Sequence, residues 1–128
     1  NCIYFHTAGP SPVKEVVSAN QSAIFLIYEM GRLLPGPKAT DLSVEYTSIV
    51  VFGKAHIVTD DQKIMEIFQA YIHKYFPDLT EGSYQPFSLE DAKKATMYRL
   101  EIERITGKQN KKPEDFPGAR WYREEDNG

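Results

Sequence analysis

The sequence predicts an α+β domain built on a mostly antiparallel β-barrel with flanking helices, and three observations carry that expectation. The first is a long strand signal from Leu42 to Thr59, in which Val44, Tyr46, Ile49, Val50, Val51, Phe52, Ile57 and Val58 are strand formers. Gly53 lies inside it, and a strand of this length bends at such a glycine, as barrel strands do. The second is Ala95 to Ile105, which alternates Tyr98, Leu100 and Ile102 against Arg99, Glu101 and Glu103, the pattern of a strand with one wet face. The third is order: the strand signals follow one another with few crossover helices, which disfavours a doubly wound parallel sheet.

Cys2 to Thr7 crowds β-branched and aromatic residues and reads as the first strand. It opens in mid-strand, so strands ahead of it are expected to be missing. Gly9-Pro10 breaks it, Ser11 suits an N-cap and Pro12 the first helical position, giving a short helix that ends near Asn20. Ser22 to Met30 is continuously apolar and is expected to be a strand buried on both faces. Gly31, Pro35, Gly36 and Pro37 mark a loop from Gly31 to Asp41. After the long strand, Thr59 or Asp60 caps a helix whose Ile64, Ile67, Phe68, Tyr71, Ile72 and Tyr75 form one apolar stripe, ending at Phe76-Pro77. Ser88-Leu89-Glu90-Asp91 starts a second capped helix reaching about Lys94. Gly107 is expected to end the last strand, leaving a polar, extended segment that packs only where Phe116, Trp121 and Tyr122 land.

With 128 residues the chain suits one domain, and 41% apolar and 12% aromatic residues suffice for a core. A net charge of −3 argues against a nucleic-acid surface, and Lys108 to Lys112 reads as a solvated cluster. The single Cys2 allows no internal disulfide and suits a reducing compartment. No apolar run reaches the roughly 18 residues of a membrane span, and no signal peptide is visible, so a cytoplasmic protein is expected. His56 has no His, Cys, Asp or Glu at ligand spacing, so no metal site is expected. His73 lies off the apolar stripe and is expected in solvent.

A strand end that feeds a helix N-terminus is a natural place for a phosphate. The run Ile3-Tyr4-Phe5-His6-Thr7, then Leu34-Pro35, then Leu42 to Ala55 resembles the flavin-binding split barrels related to pyridoxamine 5′-phosphate oxidase. Within them it is most similar to the 5-nitroimidazole-resistance branch. The helix ending Tyr75-Phe76-Pro77, the Leu100-Glu101-Ile102 strand and Thr106-Gly107-Lys108 complete the resemblance, which covers the chain to about Lys108. It implies residues 1–108 as a flavin-binding split-barrel domain without its first strands, with 109–128 as an extended C-terminal tail. It also implies FMN in a groove between the subunits of a homodimer.

The same resemblance implies site residues. His6 falls where that branch carries a histidine facing the flavin, able to donate a proton or hold a substrate; the plain alternative is a strand-end histidine bonded to a carbonyl. Thr7 and Ser11 match hydroxyls of the phosphate-binding turn, although Ser11 is equally an N-cap. Lys14 is the charged partner, one residue beyond the family's basic position and so rotated by roughly 100°. Ser48 matches a polar side chain that reaches the flavin, or is a strand serine bonded to backbone. Lys108 is placed near the phosphate, or is a solvated strand-end charge. Trp121 could stack on a partner's flavin or pack on its own barrel. The activity implied is two-electron reduction of a small electrophile such as a nitro-heterocycle, with His6 as the catalytic group. The alternatives are a non-catalytic flavin module or sensor, and a haem-binding barrel with His6 or His56 as axial ligand.

Overall fold

The computed structural model describes residues 1–80 and 82–123. Four strands form one sheet in the order β1-β4-β3-β2, where β1 is Cys2–Ala8, β2 Ser22–Leu34, β3 Ser43–Ile57 and β4 Ala95–Asn110. Among the described residues three α-helices accompany it: α1 (Pro12–Ala19), α2 (Asp61–Tyr75) and α3 (Leu89–Ala92). The expected α+β architecture with an antiparallel sheet is what forms. No helix among the described residues is long and apolar enough to cross a membrane.

The residues cluster into two compact units. One comprises Asn1–Ala23 and Phe52–Glu103, the other Ile24–Val51 and Arg104–Gly128. In the first, β1 pairs antiparallel with β4, Cys2 opposite Glu101 and His6 opposite Met97. Its core is Ile64, Phe68, Ala92 and Met97, with Val58, Met65, Ile67 and Ala95 packed around them. The capping expectations hold. Ser11 Oγ accepts from Val13 N, Asp60 Oδ1 accepts from Lys63 N at 2.7 Å, and Ser88 and Asp91 form a reciprocal capping box.

Gly53 allows β3 to press on β4. A Cβ there would run into the Glu101 carbonyl, with Leu100 Cδ1 only 3.3 Å away. The strand therefore runs unbroken through a position where any side chain would collide with its neighbour's backbone.

Four expectations need correction. The segment Ser22–Met30 is not buried on both faces: Ile24, Leu26, Ile27, Tyr28 and Met30 are all exposed, in a strand that also lies at the end of the strand order. The loop expected from Gly31 starts four residues later, since β2 continues to Leu34. Gly31 stays in the strand because it makes room for Glu45, whose Cβ would stand 2.8 Å from a Cβ at Gly31. Gly107 does not end β4, which continues to Asn110. Polar side chains extend it: Gln109 Nε2 donates to Thr47 Oγ1 at 3.0 Å and Asn110 Nδ2 to the Val44 carbonyl at 2.9 Å. Lastly, α3 stops at Ala92 rather than Lys94.

Beyond β4 the chain turns back and bonds to β2 through its backbone. Leu33 N donates to the Arg120 carbonyl at 2.7 Å and Arg120 N to the Leu33 carbonyl at 3.2 Å. Trp121 is exposed, Tyr122 exposed and Phe116 half-buried, so backbone and charge fix this segment more than its aromatics do.

Candidate functional site

In the first unit the pleat of β1 sends alternate side chains to opposite faces. Cys2, Tyr4 and His6 share one face, and Ile3, Phe5 and Thr7 the other. His6 is turned towards α2, its ring edge-on to Phe68 at 5.4 Å and to Tyr71 at 6.2 Å between centroids. Thr7 is turned away: its hydroxyl lies 3.4 Å from the Tyr98 hydroxyl, and Tyr98 is fully buried under the stacked ring of Phe5. Neighbours in sequence, His6 and Thr7 thus address different surroundings.

The side towards α2 is a cleft of about 500 Å³ between β1 and α2, lined by Tyr4, His6, Phe68, Tyr71, Lys74 and Tyr75 among others. The α2 stripe explains it. Ile64, Phe68 and Ile72 are buried, whereas Tyr71 and Tyr75, from the same stripe, are half exposed along the cleft. A volume of this size falls within the range of small-molecule sites.

The turn from β1 into α1 holds Ser11 and Lys14. Of its backbone donors, those of Gly9, Val13 and Lys14 are already engaged. Gly9 N donates to the Lys94 carbonyl, Pro12 has no N–H, Val13 N donates to Ser11 Oγ and Lys14 N to the Ser11 carbonyl. A phosphate arriving here meets side-chain donors: the Ser11 O–H, whose oxygen accepts from Val13 while its hydrogen remains to donate, and the exposed Lys14 ammonium. Those side-chain groups suit a phosphate. His56 donates to or accepts from Gln21 at 3.3 Å and stands 3.9 Å from Glu101, and His73 is exposed beside Gln69.

Ser48 and Lys108 belong to the second unit. Ser48 is half-buried in β3 and Lys108 is exposed in β4. That unit also holds a group that the sequence does not reveal. Glu45 is the buried charged residue of the described chain, 6% exposed, and Arg32 grips it with Nε at 2.9 Å and Nη2 at 2.7 Å. The same guanidinium donates to the carbonyls of Lys112, Pro113 and Glu114, and Lys112 N donates to Glu45 Oε1 at 2.8 Å. A cavity of about 360 Å³ adjoins them, lined also by Tyr46, Thr47, Asn110 and Trp121. Arg32 falls where Gly and Pro residues signal a loop, and that signal hides its register opposite Glu45.

These bonds set an acid limit. Glu45 is held at about 2, first by the Arg32 guanidinium and then by Lys112 N–H. Asp91 is likewise held at about 2, first by Lys94 and then by Ser88. Both carboxyls bind protons more weakly folded than unfolded. Their contribution is therefore whole above their ordinary values of 4.5 and 3.8 and is lost as pH falls towards about 2. Urea midpoints measured down that window should fall steeply, and less so in Glu45→Gln; a flat series would contradict the assignment.

Taken together, the sheet order, the few helices and the cleft define an α+β split barrel. The family model described as pyridoxamine 5′-phosphate oxidase matches residues 1–109, and the chain belongs to that family. No curated protein matches it. Solved structures share its fold. A flavocytochrome, Anf3 from Azotobacter vinelandii, superposes with a TM-score of 0.76 at 15% identity, covering 96% of this chain and 62% of that one. A FAD- and haem-binding protein from Mycobacterium smegmatis gives 0.74 at 13% identity, covering 88% and 55%. A candidate 5-nitroimidazole antibiotic resistance protein from Bacteroides thetaiotaomicron gives 0.61 at 15% identity, covering 83% and 60%. The chain thus spans less than two thirds of each of these structures.

Proposed function

We propose that this chain is the flavin-binding part of an FMN-dependent oxidoreductase that reduces a small electrophile such as a nitro-heterocycle, acting as a cytoplasmic homodimer with the flavin at the subunit interface. Membership of the family across residues 1–109 is the observation that carries this reading. Support comes from neighbours described as a flavocytochrome, a FAD- and haem-binding protein and a candidate nitroimidazole-resistance protein. Bound flavin would supply the two-electron redox chemistry. The chain's own residues bind and orient. In the first unit Ser11, Lys14 and Thr7 offer hydroxyl and ammonium donors to the phosphate. His6, in an apolar cleft walled by Phe68 and Tyr71, orients the substrate and supplies a proton from its ring. The exposed Ile24, Leu26, Tyr28 and Met30 of β2 support burial against a second subunit.

The test is a visible spectrum of the purified protein after adding FMN and, separately, FAD. Flavin absorbance retained with FMN through gel filtration is expected, at the mass of a dimer. Failure to retain FMN, or a monomeric flavin complex, overturns the reading. His6→Ala should slow reoxidation of the pre-reduced protein by a nitro-heterocycle by about a hundredfold, the scale of a positioned proton donor, while FMN affinity changes little. Flavin bound without turnover would instead identify a sensor or carrier. A second reading, a haem-binding barrel with His6 or His56 as axial ligand, draws support from the haem of two neighbours. A Soret band on adding haem, lost in His6→Ala or in a His56 variant, would favour it.

A further inference from the structure

We propose that Tyr98 is a positioning residue for phosphate: its buried phenol donates to the Thr7 hydroxyl and so leaves the Thr7 hydrogen to a phosphate oxygen. This rests on reading the end of β1 as the phosphate side of the flavin site. The sheet register brings the two side chains together. Phe5 pairs with Tyr98 and Thr7 with Thr96, so Thr7 and Tyr98 are diagonal neighbours on one face of the β1–β4 ladder. Their hydroxyl oxygens stand 3.4 Å apart.

Burial decides which oxygen donates. Tyr98 is fully buried, and the Phe5 ring stacks on it at 4.9 Å between centroids. Among the described residues its hydroxyl takes Thr7 Oγ1 as hydrogen-bond partner, and no buried side-chain polar atom is left without one. If the phenol only accepted from Thr7, its own hydrogen would be buried with nothing to receive it. Such an orphaned donor costs more than one hydrogen bond returns. The phenol therefore donates.

Thr7 is only half-buried, so it meets the core on one side and the surroundings of β1 on the other. A threonine hydroxyl has one hydrogen and two lone pairs. With a lone pair taken by Tyr98, its hydrogen is kept for an acceptor outside the core. A charged phosphate oxygen is a stronger acceptor than any neutral one, so the hydroxyl pair favours a phosphorylated flavin over one without phosphate.

The test has two arms, both on the full chain. The first needs no flavin. Thr7→Val is close to isosteric but takes the acceptor from a buried phenol, and should lower the melting temperature by about 5 °C. Tyr98→Phe leaves Thr7 free to bond water and should lower it by less. The double variant should melt above Thr7→Val, because no orphaned phenol remains. A double variant that melts no higher than Thr7→Val overturns the hydroxyl pair and the proposal with it.

The second arm compares FMN with riboflavin, which lacks the phosphate, by titration of flavin fluorescence. Tyr98→Phe should weaken FMN by about fivefold and leave riboflavin unchanged. Thr7→Val should lower the FMN-to-riboflavin affinity ratio by about tenfold, and adding Tyr98→Phe to it should lower the ratio no further. Thr7→Ser, which keeps the hydroxyl, should preserve most of the ratio. An unchanged ratio in Tyr98→Phe, or equal weakening of both flavins, overturns the proposal and leaves the flavin reading standing. A wild-type chain that binds neither flavin, with the melting pattern of the first arm intact, overturns the flavin reading, and the phosphate role of Tyr98 falls with it.

Discussion

Replacing Gly53 by alanine is expected to lower the melting temperature by roughly 10 °C, the consequence of about 3 kcal/mol of overpacking in a chain of this size. The cause is steric and local. The added methyl would collide with the Glu101 carbonyl on β4 and press on Leu100, which is 1% exposed and has no room to yield. Relief requires β3 and β4 to separate, and the register on the far side of β4 ties that strand to β1 from Cys2–Glu101 to Ala8–Ala95. The effect should therefore spread beyond position 53. Amide exchange in β4 from Met97 to Ile102 should accelerate along with the thermal shift. Thermal denaturation of the variant checks the magnitude. A melting temperature unchanged within about 2 °C would mean that the strands part easily there, and the close contact would carry no constraint.

A lone Gly amid strand formers singles this position out in the sequence, where it reads as a bend; the structure shows a close approach of backbones there. The same holds wherever the signal is local. Ser11-Pro12, Asp60 and Ser88-Asp91 announce helix starts by their own side chains, and Tyr98, Leu100 and Ile102 announce a buried strand face by alternation. Legibility ends where the deciding partner lies far along the chain. Nothing near Gly31 says that β2 continues, since its reason is Glu45, fourteen residues on. Nothing near Gly107 says that β4 continues, since Gln109 and Asn110 bond to Thr47 and Val44. The site divides in the same way. The place of His6 at a strand end singles it out, but Tyr71 and Tyr75 carry no such mark, because an apolar stripe looks the same whether it faces a core or a cavity. The opposed directions of His6 and Thr7 follow from the pleat alone.

Arg32→Met is expected to be comparably severe, with a melting temperature roughly 10 °C lower and faster amide exchange at Leu33 and Arg120. Arg32 does two jobs with one guanidinium. It neutralises Glu45, and it donates to the Lys112, Pro113 and Glu114 carbonyls, holding the segment after β4 against β2. Methionine fills similar space, so packing loss is small and the consequence is electrical. The buried carboxylate keeps Lys112 N but loses its cation, and three carbonyls lose a charged donor. A double variant separates the two roles. In Arg32→Met with Glu45→Leu no unpaired charge remains, so stability should recover in large part. Exchange at Leu33 and Arg120 should nevertheless stay fast, because no side chain of β2 then binds the carbonyls of 112–114. If the double variant restores protection as well as melting temperature, the tether is backbone pairing alone, and Arg32 serves only to make Glu45 tolerable. If neither recovers, the strand β2 itself depends on the pair, and the edge that carries Ile24, Leu26, Tyr28 and Met30 is shaped by the Arg32–Glu45 contact.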